Sequence, residues 1–259
     1  MSSTRKLPYG ADEQAVQTDQ PYLTHIVELR RRLMRAAAAV LGAFVGLVYW
    51  APEIFRLVVR PLADNLPQNG KLIVTDVTGS FFVPMKVTMM VAFVVALPVV
   101  LHELWSFAAP GLYRHERKLI APLVVCSYVL FLAGMAFSYF LVSPAILHVM
   151  AHYNAPLGAQ MMTDIDHYLR FTVRLFIAFG VAFEVPVVIV VLVRSALVDI
   201  AKLKQIRPYI IVGAFVVAAI VTPPDVVSQL LLAGPLVLLY ELGIVAARMF
   251  GSIGKSADQ

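Results

Sequence analysis

The stretch LIAPLVVCSYVLFLAGMAFSYFLVSPAILHVMA, residues 119–151, contains no Asp, Glu, Lys or Arg. A membrane-crossing helix needs roughly 20 apolar residues, and this run exceeds that. Shorter charge-free runs lie on either side of it: Ala36–Pro52, Val87–His102, Phe171–Val193 (interrupted by Arg174 and Glu184), Pro208–Pro224, and Val226–Tyr240, which can continue past Glu241 to Ala247. The whole chain follows suit. Of 259 residues, 60% are hydrophobic and only 14% are charged, and the mean hydropathy is +0.80. Soluble domains run near 45–50% apolar and about 25% charged. One globular core of this size cannot hold such an excess, so an ordinary soluble enzyme and a disordered chain are both excluded.

The six runs predict an all-α integral membrane protein, because in lipid a single segment satisfies its own backbone only as a helix. A β-barrel would need alternating ten-residue strands, and none is present. The expected organisation is a flexible N-terminus at 1–22, a transmembrane domain at 23–248 and a tail at 249–259. The expected spans are approximately 33–51, 85–104, 119–147, 169–194, 208–222 and 226–247. The single cysteine, Cys126, excludes an intramolecular disulfide framework.

Charge sets the orientation. With the N-terminus in the cytoplasm, 15 Lys and Arg fall on the inner side, among them Arg30, Arg31, Arg32, Arg35 and Arg207. Six fall outside: Arg56, Arg60, Lys71, Lys86, Arg170 and Arg174. The positive-inside rule therefore predicts that both termini are cytoplasmic. The net charge of +5 reads as an orientation signal and not as a nucleic-acid site. Arg30-Arg31-Arg32 ahead of an apolar run is not a cleaved export signal, because five more spans follow.

Two sizeable outer connections, 52–84 and 144–168, carry turn residues. By contrast, Thr222-Pro223-Pro224-Asp225 must reverse the chain within about four residues, giving a tight hairpin of spans five and six. Span five has 15 residues from Pro208 to Thr222, roughly 22 Å of helix against roughly 30 Å of hydrocarbon, and span two is expected to be similarly short. Pro98, Pro186 and Pro235 are candidate kink or break points. Gly42 and Gly46 form a Gly-xxx-Gly pair, expected to pack against a neighbouring helix of the same chain.

Several polar residues need a reason. Glu184 lies ten residues from both Arg174 and Arg194, near mid-membrane, where a charge is expensive. It serves either as interhelical hydrogen-bond glue or as an acid that meets a partner helix or responds to proton flux. Glu28 can pair with Arg32 at i, i+4. Glu103 ends span two, and Glu116 sits among Arg114, Arg117 and Lys118. These carboxylates are either solvated ion-pair members or a receptor for a basic ligand, since a guanidinium fits a carboxylate bidentately. Enzyme motifs are lacking. His102-Glu103 has Ser106 where a zinc protease helix needs its second His. His148 and His152 read as surface histidines. No nucleotide-binding loop occurs.

Together these residues resemble the TatC family, the polytopic component of the twin-arginine protein translocase. The resemblance runs from about His25 to Arg248. It rests on His25-x-x-Glu28-Leu29-Arg30, on Phe107-Ala108-Ala109-Pro110-Gly111-Leu112-Tyr113 with Glu116-Arg117, and on Phe179-Gly180 with Phe183-Glu184-Val185-Pro186. Arg207-Pro208-Tyr209 and Thr222-Pro223-Pro224-Asp225 complete it. Asp76-Val77-Thr78-Gly79-Ser80-Phe81 departs from the family by lacking a proline, and Glu103 is an extra acid, expected near Glu116.

The resemblance implies a concave six-helix bundle in the bacterial inner membrane. Such a protein is a non-enzymatic receptor that needs no cofactor. With TatB, in multiple copies, it binds twin-arginine signal peptides and recruits TatA, so that folded proteins cross on the proton-motive force. Carried onto this chain, Glu28, Leu29, Arg30, Phe107, Glu116 and Arg117 match signal-recognition positions. Glu184 matches the buried polar position of the concave face, and Gln229 is a candidate polar contact in the helix-docking region of spans five and six. The alternative on chemistry alone is a small-solute or proton-coupled transporter that uses Glu184.

Overall fold

The computed structural model describes residues 11–65, 71–73, 78–112, 120–154, 162–222 and 226–253. In chain order the helices are α1 (Ala11–Leu47), α2 (Ala51–Asn65), α3 (Gly79–Leu112), α4 (Ile120–Phe137), α5 (Ser143–Asn154), α6 (Ile165–Arg194), α7 (Ile200–Gln205), α8 (Arg207–Val221) and α9 (Val226–Ile253). A 3₁₀ turn, Val48–Trp50, joins α1 to α2, and a π-helical turn, Ser138–Val142, joins α4 to α5. Five apolar helical stretches are long enough to cross a bilayer: Ile26–Arg60, Phe81–Phe107, Ile120–Val149, Ile165–Arg194 and Val226–Met249. Among the described residues a further apolar helix, α8, has 15 residues and is shorter, the length that its sequence predicts.

Three expectations are corrected. Span two is not short, because α3 has 34 residues and continues through Pro84 and Pro98. α6 and α9 likewise run through Pro186 and Pro235 without a break. The outer connections are more helical than their turn residues imply. Pro52 sits in the first turn of α2, where its missing N–H costs nothing. α2 then lays Val58 and Val59 against Val83 and Val87 of α3. At the second connection, helix continues to Asn154. The two loops meet in a two-stranded parallel sheet, β1 (Lys71–Ile73) on β2 (Met162–Asp164), with Leu72 opposite Thr163. At the strand-to-helix junction, Asp164 caps α6 by accepting from the Asp166 N–H at 2.7 Å. Asp166 in turn pairs with Lys86 of α3 at 2.9 Å and with Arg170.

The third correction concerns Gly42 and Gly46. Among the described residues, a Cβ at either would meet nothing within 4 Å, so this pair makes no close packing contact there. The close approaches lie elsewhere. A Cβ at Gly134 of α4 would fall 2.5 Å from the Phe179 carbonyl of α6, and one at Gly180 of α6 would strike the Phe131 ring of α4. Gly243 of α9 similarly admits Ile189 and Pro186 of α6. α6 is thus the central element. It packs on α4 on one side and on α9 on the other, and Phe179, wholly buried, joins Val142, Ile146 and Leu232 in the core. Outward faces carry large apolar residues such as Leu41, Val45, Val129 and Ile220, as lipid contact requires.

The turn after α6 is closed by Ala196, whose φ is 56°. Its N–H reaches the Val193 carbonyl, and the Leu197 N–H reaches that of Leu192. This is a Schellman cap with alanine where glycine is usual.

Candidate functional site

The polar residues singled out above fall in two places. The first is where α1 and α3 run side by side. Here the Glu28 carboxylate accepts from Arg32 twice on one oxygen, from Nη2 at 2.6 Å and from Nε at 3.1 Å. This i, i+4 pair was legible from spacing. Its extension was not: the same guanidinium reaches across to Glu103 of α3 at 3.4 Å, and Arg35 lies 3.6 Å from the other Glu103 oxygen. Glu103 is therefore neutralised from α1. Leu29 and Arg30 are exposed. Phe107 is half-buried and engaged in contacts. Glu116 and Arg117 lie outside the described residues, and so does the expected Glu103–Glu116 proximity.

Two residues beyond Glu103, α3 is anchored from within. Trp105 is buried and donates its indole N–H to the Ser127 hydroxyl of α4 at 3.0 Å. This satisfies the one polar atom of a ring packed beside Leu101 and Val124. The bond holds the Glu103–Phe107 segment at a fixed height on α4. No sequence signal linked these two residues, which are 22 positions apart on different helices.

The second place is the bundle interior around α6, against α4 and the α8–α9 hairpin. Glu184 is largely enclosed, and neither carboxyl oxygen has a hydrogen-bond partner among the described residues, although the Ser127 hydroxyl stands nearby. Its neighbour Phe183 stacks on Phe137 with ring centroids 5.7 Å apart. Gln229 does not turn to Glu184. Its Nε2 donates to the Phe215 carbonyl of α8 at 3.1 Å, pinning the two arms of the hairpin. Between them, Ala214 and Ala218 of α8 face Leu232 and Ala233 of α9, and their small side chains allow a short interhelical distance. Thr222 ends α8 by donating its hydroxyl to the Ala218 carbonyl at 2.8 Å. Pro223, Pro224 and Asp225 lie outside the described residues. At the other end of the hairpin, Arg207 pairs with Glu241 at 2.6 Å and Tyr240 donates to the Leu203 carbonyl of α7 at 2.7 Å.

Chemically, the first place offers carboxylates already shown to accept a guanidinium. The second offers an enclosed carboxyl beside Ser127 of α4, and a short hairpin with an apolar outer face. Among the described residues no cluster of three or more metal-ligating side chains occurs. His148 and His167 are both exposed.

Comparison with known proteins agrees with this arrangement. Residues 24–235 match the family model described as Sec-independent protein translocase protein (TatC). The chain is 46% identical over 245 residues to the Sec-independent protein translocase protein TatC of Escherichia coli (strain K12), covering 95% of each chain. It is 50% identical over 226 residues to that of Azotobacter chroococcum mcd 1, covering 87% of this chain and 88% of the relative. Its fold matches a crystal structure of the twin arginine translocase receptor TatC with a TM-score of 0.78 at 36% identity, over 87% of this chain and 98% of that one. A family of protein-translocase components, not of enzymes, thus accounts for the helices, their packing and the absence of catalytic motifs, and the chain belongs to the TatC family of Sec-independent protein translocase proteins.

Proposed function

We propose that this protein is the signal-peptide receptor of a twin-arginine translocase. In this reading it crosses the bacterial inner membrane six times, with α8 as the short fifth span and both termini in the cytoplasm. Glu28 and Glu116 on the cytoplasmic face receive the paired arginines of a signal peptide. Leu29, Arg30, Phe107 and Arg117 complete that surface.

The observation that carries the proposal is the TatC family match over residues 24–235, a range that includes Glu28 and Glu116. A carboxylate at these positions suits a guanidinium, which is the chemistry an arginine pair requires. The α8–α9 hairpin, with Gln229 bracing it and Glu184 behind it, suits docking of a single apolar helix from TatB or TatA. A short span with mismatched length favours association with other helices. Export of folded precursors would then draw on the proton-motive force, with several copies of this chain and TatB forming the receptor complex.

The test is capture of a twin-arginine precursor by the full-length protein in membranes. Glu116→Ala should abolish it, and Glu28→Gln should weaken it at least several-fold. Unchanged capture by both variants would overturn the proposal. The enclosed carboxyl of Glu184 favours a second reading, a proton-coupled transporter. In that case Glu116→Ala would be silent and Glu184 alone would be essential.

A further inference from the structure

Arg32 occupies Glu28 from within the same helix, and its second partner gives that occupation a purpose. The Arg32 side chain is 20% exposed and lies between an outer carboxylate, Glu28 at 41%, and an inner one, Glu103 at 12%. Arg35, on the far side of Glu103, is 61% exposed. Among the described residues, these four groups are two acids and two bases. The two contacts of Arg32 are unequal: 2.6 Å to Glu28 and 3.4 Å to Glu103.

An arginine arriving from solvent meets Glu28 first, because Glu28 is the more exposed acid, but its Oε1 already holds two N–H donors, so a guanidinium can span both oxygens only by displacing Arg32. Displacing Arg32 would strand a half-buried cation if it had nowhere to go, and that is costly. Here Glu103 is within reach, held by a second helix, and its other cation, Arg35, is free to return to water.

We infer that Arg32 is an internal stand-in for the ligand's arginine: it closes Glu28 at rest, and Glu103 receives its guanidinium when a ligand arginine takes its place. The inference rests on the reading of Glu28 as a guanidinium-binding residue. It makes Arg32 and Glu103 specificity-determining positions. A lysine offers a point charge without a fork, so it displaces a forked guanidinium less well than an arginine does. Exchange against Arg32 therefore filters ligands by the shape of their cation as well as by its charge. Glu103 acts through Arg32 and need not touch the ligand.

The experiment measures binding of a fluorescent synthetic peptide carrying Arg-Arg, and of its Lys-Lys counterpart, to the full-length protein in nanodiscs at fixed salt. Arg32→Gln removes both N–H donors from Glu28 Oε1. It should tighten Arg-Arg binding roughly threefold, the scale of a partly exposed ion pair, and narrow the preference for Arg-Arg over Lys-Lys. Glu103→Gln removes the receiving carboxylate and should weaken binding by a similar factor. The double variant should bind like Arg32→Gln, because Glu103 has no role once Arg32 is gone. Arg32→Lys, a poorer competitor that keeps the charge, should shift binding in the same direction by less, and it serves if Arg32→Gln does not fold.

Weaker or unchanged Arg-Arg binding in both Arg32 variants, or an effect of Glu103→Gln that persists without Arg32, would overturn the inference. Glu28→Gln separates this from failure of the underlying reading. If it weakens binding while the Arg32 variants do not tighten it, only the gate is wrong. If it leaves binding unchanged, the gate and the receptor reading fall together.

Discussion

Gly134 of α4 brings its Cα so close to α6 that a Cβ would sit 2.5 Å from the Phe179 carbonyl oxygen. Less than one turn away the relation is reversed, with Gly180 of α6 under the Phe131 ring of α4. Between helices in lipid, association comes from packing and not from water release, so such approaches carry the contact.

Alanine at Gly134 should accordingly destabilise the protein by about 1–3 kcal/mol, because the obstacle is backbone and cannot swing aside. Gly180→Ala should cost less, since an aromatic ring can tilt. Gly42→Ala should be neutral or stabilising by about 0.5–1 kcal/mol, as in any open helix position. Thermal unfolding of the three purified variants in one detergent checks the ranking.

Ala196 holds a left-handed conformation with φ at 56°, which costs a residue with a Cβ about 1–2 kcal/mol. Glycine there should recover about 1 kcal/mol without altering the Schellman hydrogen bonds. The expected result is a higher unfolding midpoint for Ala196→Gly with unchanged precursor capture.

Tyr240 joins α9 to α7 through the buried Leu203 carbonyl. Removing the hydroxyl leaves that carbonyl without its partner, a loss of about 1–3 kcal/mol. Tyr240→Phe should keep the bundle intact but speed amide hydrogen exchange across Ile200–Gln205. Equal exchange rates in the two proteins would show that the bond does not hold α7.

Glu184 tests the translocase against the transporter. Glutamine keeps the size and polarity of the side chain and removes its ability to ionise. If Glu184 is a polar contact for a partner helix, Glu184→Gln should retain export while Glu184→Leu should lose most crosslinking to the partner. Loss of export in Glu184→Gln with partner crosslinking intact would instead assign it a proton-dependent role.

How much of this was legible beforehand differs by residue. The Glu28–Arg32 pair could be read from its spacing, because i and i+4 share one helix face whatever the tertiary structure. Glu103 could not be placed, since its partner is 71 positions away on another helix. Gly42 and Gly46 show the converse: the spacing invited a packing role, yet their face of α1 is open in the structure. α2 was missed because Pro52 was read as turn chemistry when it also suits the first turn of a helix.

The sequence by itself determined which segments enter lipid, since hydropathy is a local sum, and it also carried the family's motifs. Only the tertiary structure decided which face of each helix is inside. In water an amphipathic stripe announces that face, but in lipid the outer side is as apolar as the inner one and the stripe disappears. What distinguishes the inside is then a glycine that another backbone approaches, or an arginine with a second acid behind it. Both depend on neighbours far away in the chain.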